Sequence, residues 1–103
     1  ERLLIVRQHQ GDVEGMVALF EPQAVIDNAE GRQIRGHAEI RAFFGEICAS
    51  GKKFQLGVQV PAVINGELAL TGTRLADGTM TGEVARRQSD GTWLWTIDKY
   101  QHG

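Results

Sequence analysis

The stretch "RRQSDGTWLWTID", residues 86–98, decides the fold because it reads as two strands joined by a tight turn. The Asp-Gly pair at 90–91 favours a two-residue hairpin loop, since such loops require residues that tolerate positive φ. Side chains alternate between the two faces of a strand. Trp93 and Trp95 are therefore expected on one face of the sheet and Asp98 on the other.

The rest of the second half repeats this pattern. An Asn-Gly pair at 65–66 and an Asp-Gly pair at 77–78 predict two more two-residue loops. The three loops separate four expected strands, at about 53–64, 67–76, 79–89 and 92–100. An antiparallel meander of this kind needs a covering layer on one face.

The first half supplies helices for that layer. Apolar residues recur at helical spacing on both sides of the Gly-Asp pair at 11–12, and "HAEIRAFFGEICAS", residues 37–50, has a clear apolar face. "AVIDN", residues 24–28, reads as a short strand between them. About three helices followed by a meander predict an α+β fold in a single domain, 1–103.

Composition excludes several classes of function. The 103 residues are 42% hydrophobic and 23% charged, with a net charge of −2, and the basic residues form no stripe that would bind nucleic acid. No apolar run approaches the roughly 18 residues of a membrane span. Cys48 is the only cysteine, which fits a cytoplasmic location. No ligand spacing indicates a metal site, and no motif indicates a cofactor.

The assumed loops fix the strand registers and divide the strand residues into two sets. The first set is mostly apolar: Phe54, Leu56, Val58, Val60, Thr71, Thr73, Val84, Trp93, Trp95 and Ile97. The second joins an apolar end to a polar end: Gln59, Val63, Leu68, Leu70, Gly72, Arg74, Glu83, Ala85, Leu94, Thr96, Asp98 and Tyr100. An apolar floor with a few polar groups suits a small-molecule pocket.

Two arrangements of these faces fit the alternation. If the helices cover the second set, the tryptophan face is an exposed apolar sheet, and we expect a homodimer through Trp93, Trp95, Val58 and Val60. In the reverse arrangement the tryptophans pack beneath the helices and the acidic residues lie in solvent. The residue pattern alone does not choose between them.

The segments "GDVEGMVALFEPQAVIDNAEG", "IRGHAEIRAFF" and "GEVARRQSDGTWLWTIDKY" together resemble the nuclear transport factor 2-like superfamily, which includes steroid Δ-isomerases and SnoaL-like polyketide cyclases. The resemblance runs over nearly the whole chain. It implies a cone-shaped half-barrel, in which a curved, mostly antiparallel sheet wraps around the helices. It also implies a pocket on the concave side and a dimer on the convex side, which favours the first arrangement. The same fold hosts enzymes, binding modules and adaptors.

The steroid isomerase pattern matches this chain at one catalytic position of three. The resemblance places Asn28 where that family has its proton-shuttling aspartate, and an amide does not accept a proton at neutral pH. It places Leu4 at the position of the oxyanion tyrosine. Only Glu83 matches, at the position of a protonated carboxylic acid. Steroid isomerase activity is therefore not expected.

Glu83 and Asp98 are the candidate catalytic residues. Directly opposite residues have Cβ atoms about 4.5–5.5 Å apart, and two charges at ~5 Å repel by about 3 kcal/mol at an effective dielectric near 20. A buried pair would hold one proton between its members and act as acid and base. The alternative is a structural cluster in which Arg74 neutralises both carboxylates.

Two functions therefore remain open. The first is a small-molecule enzyme of isomerase, lyase or cyclase type, with a small apolar or carbonyl-bearing ligand contacted by Arg74, Asn28, Gln59, Tyr100 and Thr96. The second is a ligand-binding or dimerisation module without catalysis. Epoxide hydrolysis ranks below both, because Arg74 does not lie between two carboxylates on one strand.

Overall fold

The computed structural model describes residues 2–28, 31–55 and 57–101; Leu56 and the side chains of Arg2, Tyr100 and Gln101 lie outside the described part. The elements follow the order α1 (Arg2–His9), α2 (Val13–Val17), β1 (Phe20–Asp27), β2 (Gln33–Arg35), α3 (Gly36–Ala49), β3 (Val58–Asn65), β4 (Leu68–Arg74), β5 (Met80–Arg87) and β6 (Trp93–Gln101). The predicted α+β class is confirmed.

One curved, unclosed six-stranded sheet organises the chain, with strand order β2-β1-β6-β5-β4-β3. Neighbouring strands are antiparallel except β1 and β6, which run parallel. The predicted half-barrel, mostly antiparallel and associated with three helices, is therefore confirmed. β1 is longer than the predicted strand at 24–28, and the short β2 was not predicted.

The helices pack against one end of this sheet. Asp12 caps α2 by accepting a hydrogen bond from the backbone N–H of Gly15 at 3.0 Å. α3 buries Ile40 and Phe44, and the ring of Phe44 lies 5.7 Å from that of Phe20 on β1. The buried core comprises Leu4, Met16, Val17, Phe20, Ala24, Ile26, Ile34, Ile40 and Phe44. We call the sheet face that carries Phe20 the inner face, and the opposite side the outer face.

The β5–β6 hairpin has a three-residue loop, not the predicted two-residue loop. The N–H of Gln88 donates to the carbonyl of Thr92 at 2.7 Å, which leaves residues 89–91 as the loop. A type I′ loop needs positive φ at both central residues. Gly91 has φ +88°, but no described non-glycine residue has positive φ, and Asp90 instead accepts the N–H of Thr92 at 3.0 Å. The longer loop shifts the register by one residue.

A β-bulge then reverses that shift within β6. Ala85 pairs with Trp95 but Val84 pairs with Ile97, so Thr96 is the extra residue on the bulged strand. Beyond the bulge the register returns to the predicted one. The predicted pairing of Glu83 with Asp98 is confirmed.

The two tryptophans, which precede the bulge, therefore lie on the opposite face from the predicted one. Trp93 pairs with Arg87 and Trp95 with Ala85, so the indoles share the inner face with Glu83. Trp95 packs on Phe20, with ring centroids 5.5 Å apart. The expectation that the tryptophans lie on the convex face is wrong. One additional loop residue places each β6 side chain before the bulge on the face opposite to the predicted one.

The β4–β5 hairpin also has a three-residue loop, and here no bulge compensates. The N–H of Leu75 donates to the carbonyl of Thr79 at 2.8 Å, and Asp77 accepts the N–H of Thr79 at 2.9 Å. Thr71, not the predicted Gly72, therefore faces Glu83. The predicted faces of all β4 residues are inverted.

The β3–β4 hairpin differs from prediction as well. Asn65 pairs with Leu68, so residues 66–67 form the loop, and a register shift between Val60 and Val63 brings Gln59 opposite Thr73. Val58 and Val60 lie on the outer face as predicted. The predicted second set is wrong for Val63, Leu68, Leu70, Gly72, Arg74 and Leu94, which the registers place on the outer face with those valines.

Candidate active site on the inner face

The centre of the inner face is a row of side chains that crosses the sheet. It runs through Thr71, Glu83, Asp98, Ile26 and Ile34, each directly opposite the next on the neighbouring strand. Glu83 and Asp98 have only 2% exposure each. The row therefore places two carboxyl groups side by side in a nearly dry environment, bordered by a hydroxyl on one side and by a fully buried isoleucine on the other.

A second row, richer in threonine, continues from the acid pair along the strands. Thr73 pairs with Thr81, and within the described residues neither hydroxyl has a hydrogen-bond partner although both are buried. A buried hydroxyl without a partner carries a desolvation cost of about 1–3 kcal/mol. The polarity of the inner face thus extends beyond the carboxyl pair.

A third row borders the acid pair on the opposite side and is apolar. It contains Ala69, Ala85, Trp95 and Phe20. Here the sheet and the helices leave a cavity of about 390 Å³, lined by Leu3, Leu19, Ile64, Ala69, Thr71, Ala85, Trp93 and Trp95. Thr71 belongs both to this lining and to the acid row.

The Thr71 hydroxyl connects the cavity with the acid pair. Its Oγ1 lies 3.4 Å from Oε1 of Glu83 and 3.5 Å from the Glu83 backbone carbonyl. These contacts are longer than a typical O–H···O hydrogen bond of 2.5–3.0 Å.

Arg74 does not accompany the carboxyl pair. It pairs with Val58 and Met80, so it lies on the outer face and is exposed. The predicted neutralisation of Glu83 and Asp98 by Arg74 is therefore wrong, since the three-residue loop before β5 inverts the face of β4.

Thr96 also lies away from the inner face. It is the extra residue of the bulge, and it hydrogen-bonds Glu21, which receives a 3.1 Å ion pair from Arg86. Burial raises the pKa of Glu21, but hydrogen bonds from Gln88 and Thr96 and the charge of Arg86 outweigh burial, so the pKa lies below its usual value. Thr96 belongs to this cluster and not to the cavity.

The other predicted ligand contacts have different positions. Gln59 faces the inner side opposite Thr73, but it is exposed on the edge strand β3 and is not part of the cavity lining. Asn28 follows β1, and its side-chain oxygen accepts the N–H of Arg32 at 3.0 Å. The side chain of Tyr100 lies outside the described residues.

A bidentate ion pair lies beside the cavity. Arg87 faces inward opposite Trp93, and its Nε and Nη2 contact Oε2 and Oε1 of Glu67 at 3.1 and 2.9 Å. The hydrogen bond from Arg87 lowers the pKa of Glu67. Both residues are exposed, so solvent screening leaves this pair with little effect on stability.

Hydrogen bonds from α1 position the segment that precedes β3. Gln8 on α1 is buried; its Nε2 donates to the carbonyl of Lys52 at 2.6 Å and its Oε1 accepts the N–H of Phe54 at 2.9 Å. His9 contacts the Phe54 carbonyl at 2.7 Å. These contacts hold the segment before β3 against the N-terminal helix.

Comparison with known proteins identifies the family. The sequence profile of the SnoaL-like domain matches residues 3–101. The chain belongs to the SnoaL-like domain family. No curated protein matches the chain. The similar solved structures also include nuclear transport factor 2-like proteins, as the resemblance predicts.

Solved structures share the fold of this SnoaL-like domain at low sequence identity. A ketosteroid isomerase-like protein from Erwinia carotovora atroseptica has a TM-score of 0.79 at 9% identity, over 97% of this chain and 88% of that chain. A candidate dehydratase from Streptomyces avermitilis has a TM-score of 0.79 at 14% identity, over 99% and 90%. A candidate association domain of a calcium/calmodulin-dependent protein kinase type II from Thiobacillus denitrificans has a TM-score of 0.80 at 14% identity, also over 99% and 90%. These likenesses show the fold alone.

The sequence interpretation missed several cavity residues: Leu3, Leu19, Ile64, Ala69, Thr71, Trp93 and Trp95. One sequence signal bears on the strand residues among them. Both misjudged loops end in an Asp-Gly pair that is followed directly by threonine, at 77–79 and 90–92, and the aspartate accepts the threonine N–H. This contact favours a type I turn followed by a glycine with positive φ, which is the three-residue loop.

Two further observations concern the described residues. They contain no cluster of three or more His, Cys, Asp or Glu side chains placed to hold a metal ion. In that same part of the chain, none of the helices has the length and apolar character needed to cross a bilayer.

Proposed function

We propose that this SnoaL-like domain binds a small apolar or carbonyl-bearing molecule in the inner cavity, and that Glu83 and Asp98 provide acid–base chemistry of isomerase, lyase or cyclase type. The single observation that carries the proposal is the directly opposed, nearly buried carboxyl pair next to the cavity-lining Thr71. Burial of an ionised carboxylate is costly, so a carboxyl pair in so dry a setting favours a shared proton, which is the state that acid–base chemistry uses.

The cavity favours a compact, mostly apolar ligand. Its volume of about 390 Å³ lies within the usual range of small-molecule sites. Two indole rings and five aliphatic or alanine side chains contribute surfaces that bind apolar groups by burial from water. A ligand with one oxygen directed towards Thr71 would bury its carbon skeleton against these side chains. Its oxygen would keep a hydrogen-bond partner in the Thr71 hydroxyl.

The acid pair would act on that oxygen. Two carboxyl groups this close and this dry favour a state in which one proton is held between them. A protonated carboxyl group that donates to a carbonyl oxygen stabilises the negative charge that develops there. It so promotes transfer of a proton from the adjacent carbon to water, while the electron pair of the C–H bond remains and forms the enolate. Proton transfer of this kind contributes about 10²–10⁴-fold to a rate.

Hydrogen exchange of a simple ketone tests the chemistry without knowledge of the natural substrate. We would measure loss of α-hydrogen from 2-tetralone in D₂O by NMR, with the natural chain and with Glu83→Gln, Asp98→Asn and the double variant. The proposal predicts acceleration over buffer that falls by about 10²-fold or more in each variant. Glu67→Gln, which removes an exposed carboxylate, is the control and should exchange at the natural rate.

Two results would contradict the catalytic proposal: no acceleration by the natural chain, or full acceleration by the double variant. Either would leave binding as the function of the cavity. Circular dichroism of each variant establishes that a lost rate is not lost folding.

A dimerisation module is the second candidate, and the outer face favours it. This face exposes aliphatic side chains from four strands: Val58, Val60, Val63, Leu68, Leu70, Met80 and Ile97. Contiguous apolar surface of this kind marks interaction sites. We propose a second copy of the chain as the partner, with Val58 and Val60 in the interface but without the two tryptophans.

Sedimentation equilibrium tests this assembly. The natural chain should have twice the monomer mass of 11.3 kDa, and Leu70→Lys on the outer face should make it monomeric. Gln59→Lys, a change at a residue that is also exposed but lies on the inner side, should leave the dimer intact. A monomeric natural chain, or a dimer unaffected by Leu70→Lys, would refute the outer-face interface.

A further inference from the structure

The acid pair and the cavity are neighbours, but the carboxyl groups are not part of the cavity lining. Glu83 and Asp98 lie in the central row and are almost fully covered, whereas the cavity lies over the apolar row. Thr71 is the lining residue that also contacts Glu83. A ligand in the cavity therefore meets this hydroxyl before it meets either acid.

The rest of the described lining offers little competing polarity. Leu3, Leu19 and Ile64 have hydrocarbon side chains, and so do the two alanines. The two indoles each provide one N–H, which only donates. Thr71 contributes the hydroxyl, the single lining group that both donates and accepts a hydrogen bond.

We propose that Thr71 is the ligand-orienting residue of the cavity: its hydroxyl binds the ligand's oxygen and links it to Glu83. This inference rests on the proposed function, since it requires a ligand in the cavity. The 3.4 Å contact between Oγ1 of Thr71 and Oε1 of Glu83 is longer than a typical O–H···O hydrogen bond, so the hydroxyl can reorient towards a ligand at little cost.

The two directions of the hydrogen-bond chain suit two kinds of ligand oxygen. When Glu83 carries a proton, it donates to Thr71, and the Thr71 hydrogen donates to a ligand carbonyl. When Glu83 is ionised, it accepts the Thr71 hydrogen, and a Thr71 lone pair accepts from a ligand hydroxyl. In both cases Thr71 stays neutral and no bond is broken.

A matched pair of probes tests the inference. 2-Naphthol and 2-methylnaphthalene have nearly the same shape, but only the first has a polar group. Their binding can be followed by calorimetry and by fluorescence of Trp93 and Trp95, which are the two tryptophans of the chain and both line the cavity. Thr71→Val removes the hydroxyl at nearly constant volume, and Thr71→Ser keeps it.

The expected result is selective. Thr71→Val should weaken the binding of 2-naphthol roughly fivefold to tenfold, which is the value of one hydrogen bond. The affinity for 2-methylnaphthalene should stay within about twofold of that of the natural chain. Thr71→Ser should restore most of the 2-naphthol affinity. Thr73→Val is the control, because Thr73 lies on the same strand and face but outside the cavity lining, and it should change neither affinity.

Failure of this inference is distinguishable from failure of the proposed function. If 2-naphthol binds the Thr71→Val variant as tightly as the natural chain, Thr71 does not orient the ligand, although the cavity still binds one. If neither probe changes the tryptophan fluorescence of the natural chain, the ligand-binding proposal fails, and the role of Thr71 fails with it. Retained 2-methylnaphthalene binding shows that the valine variant is folded.

Discussion

The inner and outer faces of the sheet are built from alternating residues of the same strands, yet they differ in polarity and in exposure to water. The inner face of β4 to β6 carries two carboxyl groups and three threonines, and it is mostly buried. The outer face of the same strands carries aliphatic side chains and is exposed; Leu70 is 55% exposed and Ile97 48%. Apolar character therefore does not decide which face of this sheet is covered.

The position of the helices and the cavity decides it instead. Burying polar groups costs free energy, and leaving aliphatic groups in water forgoes about 25 cal/mol per Å² of burial. We propose that the buried polar groups serve a ligand and that the exposed apolar surface serves a partner. This contrast is the basis of both proposed functions.

The largest expected effect contrasts two isoleucines on adjacent strands and opposite faces. Ile26 faces inward and is fully buried beside Asp98, whereas Ile97 faces outward. Ile26→Ala should lower the free energy of unfolding by about 2–5 kcal/mol because it leaves a cavity in the core, and Ile97→Ala by less than about 1 kcal/mol. Urea denaturation at concentrations where the chain is monomeric measures both. Equal losses would show that the faces are not differently packed.

A smaller effect tests the loop that sets these faces. Gly91 has φ +88°, so Gly91→Ala should cost about 1–2 kcal/mol. Gly82 on β5 lacks positive φ and has open space where a Cβ would lie, so Gly82→Ala should cost nothing or stabilise slightly. Thermal unfolding compares the two variants. If Gly91→Ala proved as harmless as its control, the three-residue loop would be wrong.

The sequence predicted the order of the helices and of the longer strands, though not the short β2, because the relevant signals are local. Helical spacing ends at the Gly-Asp pair at 11–12, and a polar cap at Asp12 begins the next helix. The amphipathic pattern of α3 marks its buried side, with Ile40 and Phe44 inward. Such patterns depend on residues within one turn of one another, so they can be recognised in the sequence without knowledge of the tertiary structure.

The faces were harder to predict because register errors accumulate along the chain. An Asp-Gly pair is compatible with a two-residue or a three-residue loop, and the choice depends on whether the aspartate takes positive φ or binds the N–H of the following threonine. In β6 the additional loop residue shifts the pairing with β5 by one residue, and the bulge at Thr96 shifts it back before Asp98. The pairing of the acids was therefore predicted correctly, although the tryptophans between loop and bulge were inverted.

β4 and β5 pair without a bulge, so the shifted register persists along β4. This shift places Arg74 on the outer face, away from the predicted site. The loop before β5 shifts the β4–β5 register by one residue along its whole length. Thr71 thereby takes the position opposite Glu83 that the sequence interpretation had assigned to Gly72. A β-bulge is an extra residue in one strand of a pair, so it appears in the cross-strand pairing and not in the alternation of residues along β6.

The smallest expected effect concerns acid stability on the outer side. The pKa of Glu21 lies below its usual value in the folded chain, so its contribution to stability is present above the unfolded pKa of about 4.5 and is lost as the pH falls through the folded pKa. Glu21→Gln should reduce the loss of stability between pH 7 and pH 3 by less than about 1 kcal/mol. Urea titrations at the two pH values measure the difference, and an unchanged loss in the variant would contradict the role of the Arg86 and Gln88 contacts.

The most direct measurement of the central claim, that the indoles and the acid pair share the inner face, is a set of nuclear Overhauser effects from the two tryptophans. The structure predicts contacts from the Trp95 indole to the ring of Phe20, whose centroid lies 5.5 Å away, and from Trp93 to the side chain of Arg87, its cross-strand partner on the inner face. Contacts from either indole to the outer-face methyl groups of Ile97, in place of these, would contradict it.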